Sequence, residues 1–94
     1  VIDFDLNQRQ FQEDLLALEK EELLAFFKTL RKLRQLSWQQ LYRDRGLRWE
    51  AVKSVRAEGL YTMRVTQKCR IVVKREGNIL RFISLHPDHD SAYE

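Results

Sequence analysis

Ninety-four residues leave room for one domain with a modest core, and an apolar content of 44% argues against disorder. No run of about 18 apolar residues is present to span a membrane, and the N-terminal VIDFDLNQ lacks the basic start and apolar stretch of a signal peptide. The net charge is only +3, but residues 48–81 carry nine basic and three acidic residues, a local balance of +6, while residues 1–47 balance to zero.

That asymmetry favours a polyanionic partner for the C-terminal half. The competing reading is a solvated basic face. A single cysteine, Cys69, excludes an internal disulfide and a cysteine metal cluster, and it fits a reducing cytoplasm. Its expected role is that of a small apolar residue in a strand.

In chain order, VIDF at residues 1–4 reads as a short strand. Asp5 or Asn7 is placed to cap a helix over residues 8–18, where Phe11, Leu15 and Leu18 recur at helical spacing. A break near Glu19 precedes KEELLAFFKTLRKLRQL, the clearest helix. Its expected apolar stripe is Leu23, Leu24, Phe27 and Leu30, with Phe26 at the margin. Glu21 and Glu22 sit in its first turn, and Arg31, Lys32 and Arg34 near its last, complementing the helix dipole. Two such helices, tightly joined, would form a helical hairpin. Ser37 then reads as the N-cap of a short third helix, WQQLYRDR, ended by Gly46.

After Gly46 the period changes. LRWEAVKSV alternates loosely. LYTMRVT separates Tyr61, Met63 and Val65 from Thr62, Arg64 and Thr66, and CRIVVKR separates Cys69, Ile71 and Val73 from Arg70, Val72 and Lys74. Glu76, Gly77 and Asn78 make a turn into NILRFISL. The expected fold is α+β: β-α-α, a short helix or turn, then a three- or four-stranded antiparallel sheet, all in one domain over residues 1–94.

The chemistry concentrates on one sheet face and the C-terminus. Arg64 and Arg70 flank the short Gln67-Lys68 turn, so a hairpin would set their guanidinium groups side by side. An anion such as phosphate would relieve their repulsion, since the guanidinium fork binds its oxygens bidentately. The alternative is pairing of each arginine with Glu50 or Glu58. In HPDHD, His86 and His89 can exchange protons near neutral pH, with Asp88 and Asp90 beside them. Tyr93 offers a ring to stack on a base or a hydroxyl to hydrogen-bond it. Together these describe a metal-free RNA-cleaving site in which the RNA's own 2′-hydroxyl is the nucleophile. The rivals are a metal held by the His-x-x-His pair and its aspartates, and a plain polar tail. No second segment supplies the further cysteine or histidine that zinc sites draw on. Arg48, Lys53, Lys68 and Lys74 are further candidates for RNA contact. Ser37, Ser54, Ser84 and Ser91 lack the glycine surroundings of a serine nucleophile, and no glycine-rich phosphate loop occurs. Trp38 reads as a core residue; Trp49 is open.

The order LYTMRV, KCRIVVK, a glycine turn, NILRFISLH and a terminal tyrosine, behind an N-terminal VIDFDLN and two helices, resembles the RelE/ParE superfamily of type II toxin–antitoxin systems over nearly the whole chain. The resemblance implies a RelE-like fold, a cytoplasmic location and a cognate antitoxin as partner. RelE-like members are metal-free, ribosome-dependent mRNA endoribonucleases that inhibit translation. ParE-like members poison DNA gyrase. Carried onto this chain, Arg70 matches the strand arginine that stabilises phosphate charge, Arg64 a basic position on the neighbouring strand, and Tyr93 the terminal aromatic. His86 or His89 stands where members place a strand-end basic residue. HPDHD departs from the family by its acidity. The leading expectation is a nuclease toxin acting on ribosome and mRNA without a cofactor. A gyrase inhibitor and a non-catalytic binding module of the same fold remain alternatives.

Overall fold

The computed structural model describes residues 1–54 and 58–87. Their elements run β1 (Asp3–Asp5), α1 (Arg9–Leu16), α2 (Lys20–Leu33), α3 (Trp38–Arg43), β2 (Glu50–Ala51), β3 (Tyr61–Arg64), β4 (Arg70–Glu76) and β5 (Ile79–His86). Among the described residues the strands form one sheet in the order β1-β5-β4-β3-β2. β2 to β5 are an antiparallel meander, and β1 adds to β5 in parallel. The α+β expectation therefore holds, with the N-terminal strand recruited into the sheet. The chain between β1 and β5 supplies the long connection that a parallel pair requires. No described helix is long and apolar enough to cross a membrane.

One sheet face is covered by the helices. Phe11 of α1, Phe26 of α2 and Phe82 of β5 are fully buried, and their ring centroids lie 5.4–5.9 Å apart. Leu33, Leu41, Met63, Ile71, Val73 and Leu80 complete the centre. Each phenyl ring removed from water contributes about 1.5–3 kcal/mol. Their tilted and edge-on contacts add specificity to that burial.

Three local expectations change. α1 starts from Gln8, with no side-chain cap, because Asp5 Oδ1 instead accepts the Asn7 N–H at 2.9 Å and closes a turn before the helix. The stripe of α2 is rotated. Phe26, Thr29 and Leu33 are buried, while Leu24 is 54% and Phe27 48% exposed. Leu23 and Leu30 flank the buried line. The Phe11–Phe82 pair sets this rotation by receiving Phe26. Thr29 is tolerated inside because its hydroxyl donates to the Ala25 carbonyl at 3.0 Å. Finally, Ser37 caps α3 as expected, in a reciprocal capping box with Gln40, but the helix stops at Asp44 rather than Gly46. The Asp44 carboxylate accepts from the Leu47 N–H at 2.9 Å and from the Lys32 ammonium, so the chain turns there. The lysine holds the Asp44 carboxyl below the usual carboxylate range.

Candidate functional site

Strand register builds the site. Arg64 of β3 lies opposite Arg70 of β4, and Arg70 lies opposite His86 of β5. The three residues form one row across three strands. Their neighbours Met63, Ile71 and Leu85 are buried in the core, so strand alternation turns the row to the face away from the helices. The next row on that face is Thr62, Val72 and Ser84.

A bulge makes this possible. Between Val72 and Val73 the register shifts, so that Val72 faces Ser84 and Val73 faces Phe82, leaving Ile83 as an extra residue. With strict alternation Phe82, Ser84 and His86 would share a face. The inserted residue reverses the parity. Leu80 and Phe82 enter the core, and Ser84 and His86 emerge on the other side.

His86 is half-buried, and its Nε2 lies 2.8 Å from the Ser84 hydroxyl. Burial pushes its pKa below the ordinary value, against the opposing charge of Asp14. Arg70 is only 3% exposed and donates from Nη1 to the Thr66 carbonyl at 3.3 Å. Arg64 is half-buried, its backbone N–H held by the Leu47 carbonyl. Its Nε is buried without an acceptor among the described residues. Two adjacent guanidiniums, one nearly sealed from water, favour an anion as a shared partner. The Arg64 and His86 ends of the row are less buried than Arg70, and so are the accessible side for an anion. A groove of about 730 Å³ lies between the start of α2 and the Thr66, Gln67 and Lys68 turn with Pro87, and Arg64, Arg70 and His86 do not line it.

The other expected site residues separate. Lys68 is exposed on the β3–β4 turn and lines that groove. Lys74 shares the face of the row but pairs with Glu76 at 3.6 Å, next to Arg81, which pairs with Asp5 at 2.9 Å and Glu76 at 3.2 Å. Arg48 is ion-paired to Glu50 at 2.9 Å, and Lys53 is exposed in the loop after β2. His89 and Tyr93, with Asp88 and Asp90, lie outside the described residues. So does most of the proposed His-x-x-His metal set. Among the described residues no three histidine, cysteine or acidic side chains gather as a metal site. Cys69 is fully buried, and burial pushes its thiol up to about 11, which fits a structural role.

Sequence reasoning set Ser84 aside as a nucleophile and missed it as the partner of His86. The i, i+2 spacing in Ser-Leu-His carried that signal. Asp14 gave no local signal. Trp38 packs at the rim of the core rather than inside it, with the Arg75 guanidinium 4.0 Å over its ring. Trp38, Tyr42, Trp49 and Tyr61 follow one another as a chain of ring contacts.

No protein-family model matches the chain, and no curated protein does. Solved structures do. All of the chain superposes on 98% of YafQ from E. coli strain BL21(DE3), with a TM-score of 0.71 and 14% identity. HP0894 from Helicobacter pylori is similar over 95% of this chain and 93% of its own, with a TM-score of 0.62 and 18% identity. The YoeB–YefM complex from Staphylococcus aureus gives a TM-score of 0.61 and 20% identity, over 92% of this chain and 93% of the matched one. The class is thereby defined: the chain has the RelE-like α+β fold. YafQ and YoeB, whose folds it shares, are each known in toxin–antitoxin complexes, with DinJ and YefM respectively.

Proposed function

We propose that this protein is the toxin of a type II toxin–antitoxin module, an mRNA endoribonuclease that cuts on the ribosome and is neutralised by a cognate antitoxin. The row of Arg64, Arg70 and His86 across three strands carries the reading. Arg64 and Arg70 would hold the scissile phosphate and take up the charge that grows on it. Burial disfavours the imidazolium of His86 and so lowers its pKa, which suits it as the base. It removes the 2′-hydroxyl proton; the 2′-oxygen–phosphorus bond forms and the phosphorus–5′-oxygen bond breaks. The products are a 2′,3′-cyclic phosphate and a 5′-hydroxyl. The leaving oxygen needs a proton, for which His89 and Tyr93 are the candidates. Lys68, with Lys53, would contact RNA outside the cut, whereas Arg48, like Lys74, already has a carboxylate partner.

Expression of the wild type beside Arg70→Ala and His86→Ala, with mapping of mRNA ends in the cell, tests this. Expected are growth arrest and ribosome-phased cuts for the wild type. Each variant should lose cleavage by about 10²–10⁴-fold, the range for removing a general base or a transition-state charge partner. Growth arrest without cuts, accompanied by altered DNA supercoiling, would replace this reading with gyrase inhibition.

A further inference from the structure

β1 pairs with β5 only as far as Asp5 opposite Arg81. Beyond that point no strand among the described residues lies beside the outer edge of β5, and α1 takes over. Asp14 Oδ2 accepts the backbone N–H of Leu85 at 3.0 Å, and Asp14 Oδ1 accepts from Gln10 Nε2 at 2.8 Å. With both oxygens held, the carboxylate has a fixed position. Leu85 immediately precedes His86, and the Asp14 charge favours the protonated imidazole there while burial opposes it.

We propose that Asp14 is a positioning residue for proton transfer at His86. It pins the end of β5 through the Leu85 N–H, and so places a negative charge one residue along the strand from the ring that becomes positive when it accepts a proton. The inference rests on the reading above that His86 is the base. A base that must be neutral before the reaction and charged during it gains from a fixed carboxylate close by. Ser84 complements this: in the tautomer a base requires, Nε2–H donates to the Ser84 oxygen and Nδ1 keeps the lone pair that takes the proton, and the same contact persists in the imidazolium. Other elements bring further charges near His86. Arg70 of β4 lies opposite His86 in the ladder, with Arg64 of β3 opposite Arg70. Lys20, Lys68, Glu19, Glu21 and Glu22 lie around the groove at Pro87. Among the described residues, Asp14 is a carboxylate held on the backbone of β5 directly beside His86, at the Leu85 N–H.

The test separates charge from clasp. Asp14→Asn keeps an oxygen for the Leu85 N–H and removes the charge; Asp14→Ala removes both. The His86 ring resonance, identified by its loss in His86→Gln, is titrated by NMR in the intact chain. In parallel, cleavage of mRNA by the toxin on ribosomes is followed against pH. In Asp14→Asn the His86 midpoint should move to lower pH, and the limb of the pH–rate profile should move with it. A wild-type midpoint in a folded Asp14→Asn protein would reduce Asp14 to a structural clasp and overturn the proposal. Asp14→Asn keeps the test decisive even if Asp14→Ala does not fold. If the wild type cleaves no RNA, the functional reading falls and takes the catalytic role of Asp14 with it. If cleavage is intact and the midpoint is unmoved, Asp14 alone falls.

Discussion

His86 and Ser84 sit two residues apart on one strand, so their contact needs no distant element once the strand is formed. The Ser84 hydroxyl fixes one ring nitrogen and thereby the direction of the other. Such a hydrogen bond is worth about 1 kcal/mol net, so Ser84→Ala should slow cleavage about fivefold, measured as single-turnover kcat on ribosome-bound mRNA. His86 also makes stability depend on pH. Its folded pKa lies below the ordinary 6.5 because burial disfavours the imidazolium. The folded chain therefore binds this proton less tightly than the unfolded chain. The stability it allows is complete above the unfolded pKa and is lost as pH falls through that value toward the lower folded one. Thermal unfolding between about pH 7.5 and 5.5 should show a falling Tm, and His86→Gln should flatten that fall. An unchanged slope in the variant would place the titration elsewhere, with His89 the remaining histidine.

At the scale of elements, two helix and strand details decide where side chains point, and both depend on partners far away in sequence. The rotation of α2 is testable because adjacent phenylalanines have opposite environments. Phe26 is fully buried against Phe11 and Phe82, whereas Phe27 is 48% exposed. Phe26→Ala should cost about 3–5 kcal/mol, a large share of a small domain's stability. Phe27→Ser, at a half-exposed ring that packs on Phe26 from outside, should cost about 1 kcal/mol. Urea unfolding of the two variants would reverse in rank if the stripe expected from sequence were the true one. Periodicity shows that residues 20–33 form an amphipathic helix, because 3.6-residue spacing is local. It does not choose between Phe26 and Phe27, because only the ring pair Phe11–Phe82 makes that choice. The element order, the Ser37 cap, the turn at Gly77 and the Arg64–Arg70 hairpin were legible for the same reason: each is written in a few contiguous residues. The parallel pairing of β1 and the β5 bulge were not. The bulge matters most for function, since alternation read straight through LRFISLH puts Phe82 and His86 on one side. A side chain must leave the ladder for both to be placed as they are, and the packing of Phe82 forces that.

Across the whole molecule, the sheet face turned from the helices has two electrostatic ends. At one end Lys74 and Arg81 are neutralised by Glu76 and Asp5. At the other, Arg64 and Arg70 stand side by side with His86, and Lys68 is exposed on the adjoining turn. Net charge does not reveal this, since the same +6 over residues 48–81 contains both ends. Only register and ion pairing divide it. Salt dependence measures the division directly. Each phosphate neutralised on a single strand contributes about −0.7 to the slope of log affinity against log salt. The binding of a single-stranded RNA, blocked from cleavage by a 2′-deoxy residue at the cut, can be followed by fluorescence anisotropy. Arg64→Ala and Lys68→Ala should each shallow the slope by about 0.7 per contact removed. Lys74→Ala should leave it unchanged, because that charge already has a carboxylate partner. If Lys74→Ala shallows the slope as much as Arg64→Ala does, the strand runs along the whole face, and the row at Arg70 is not where its phosphate is held.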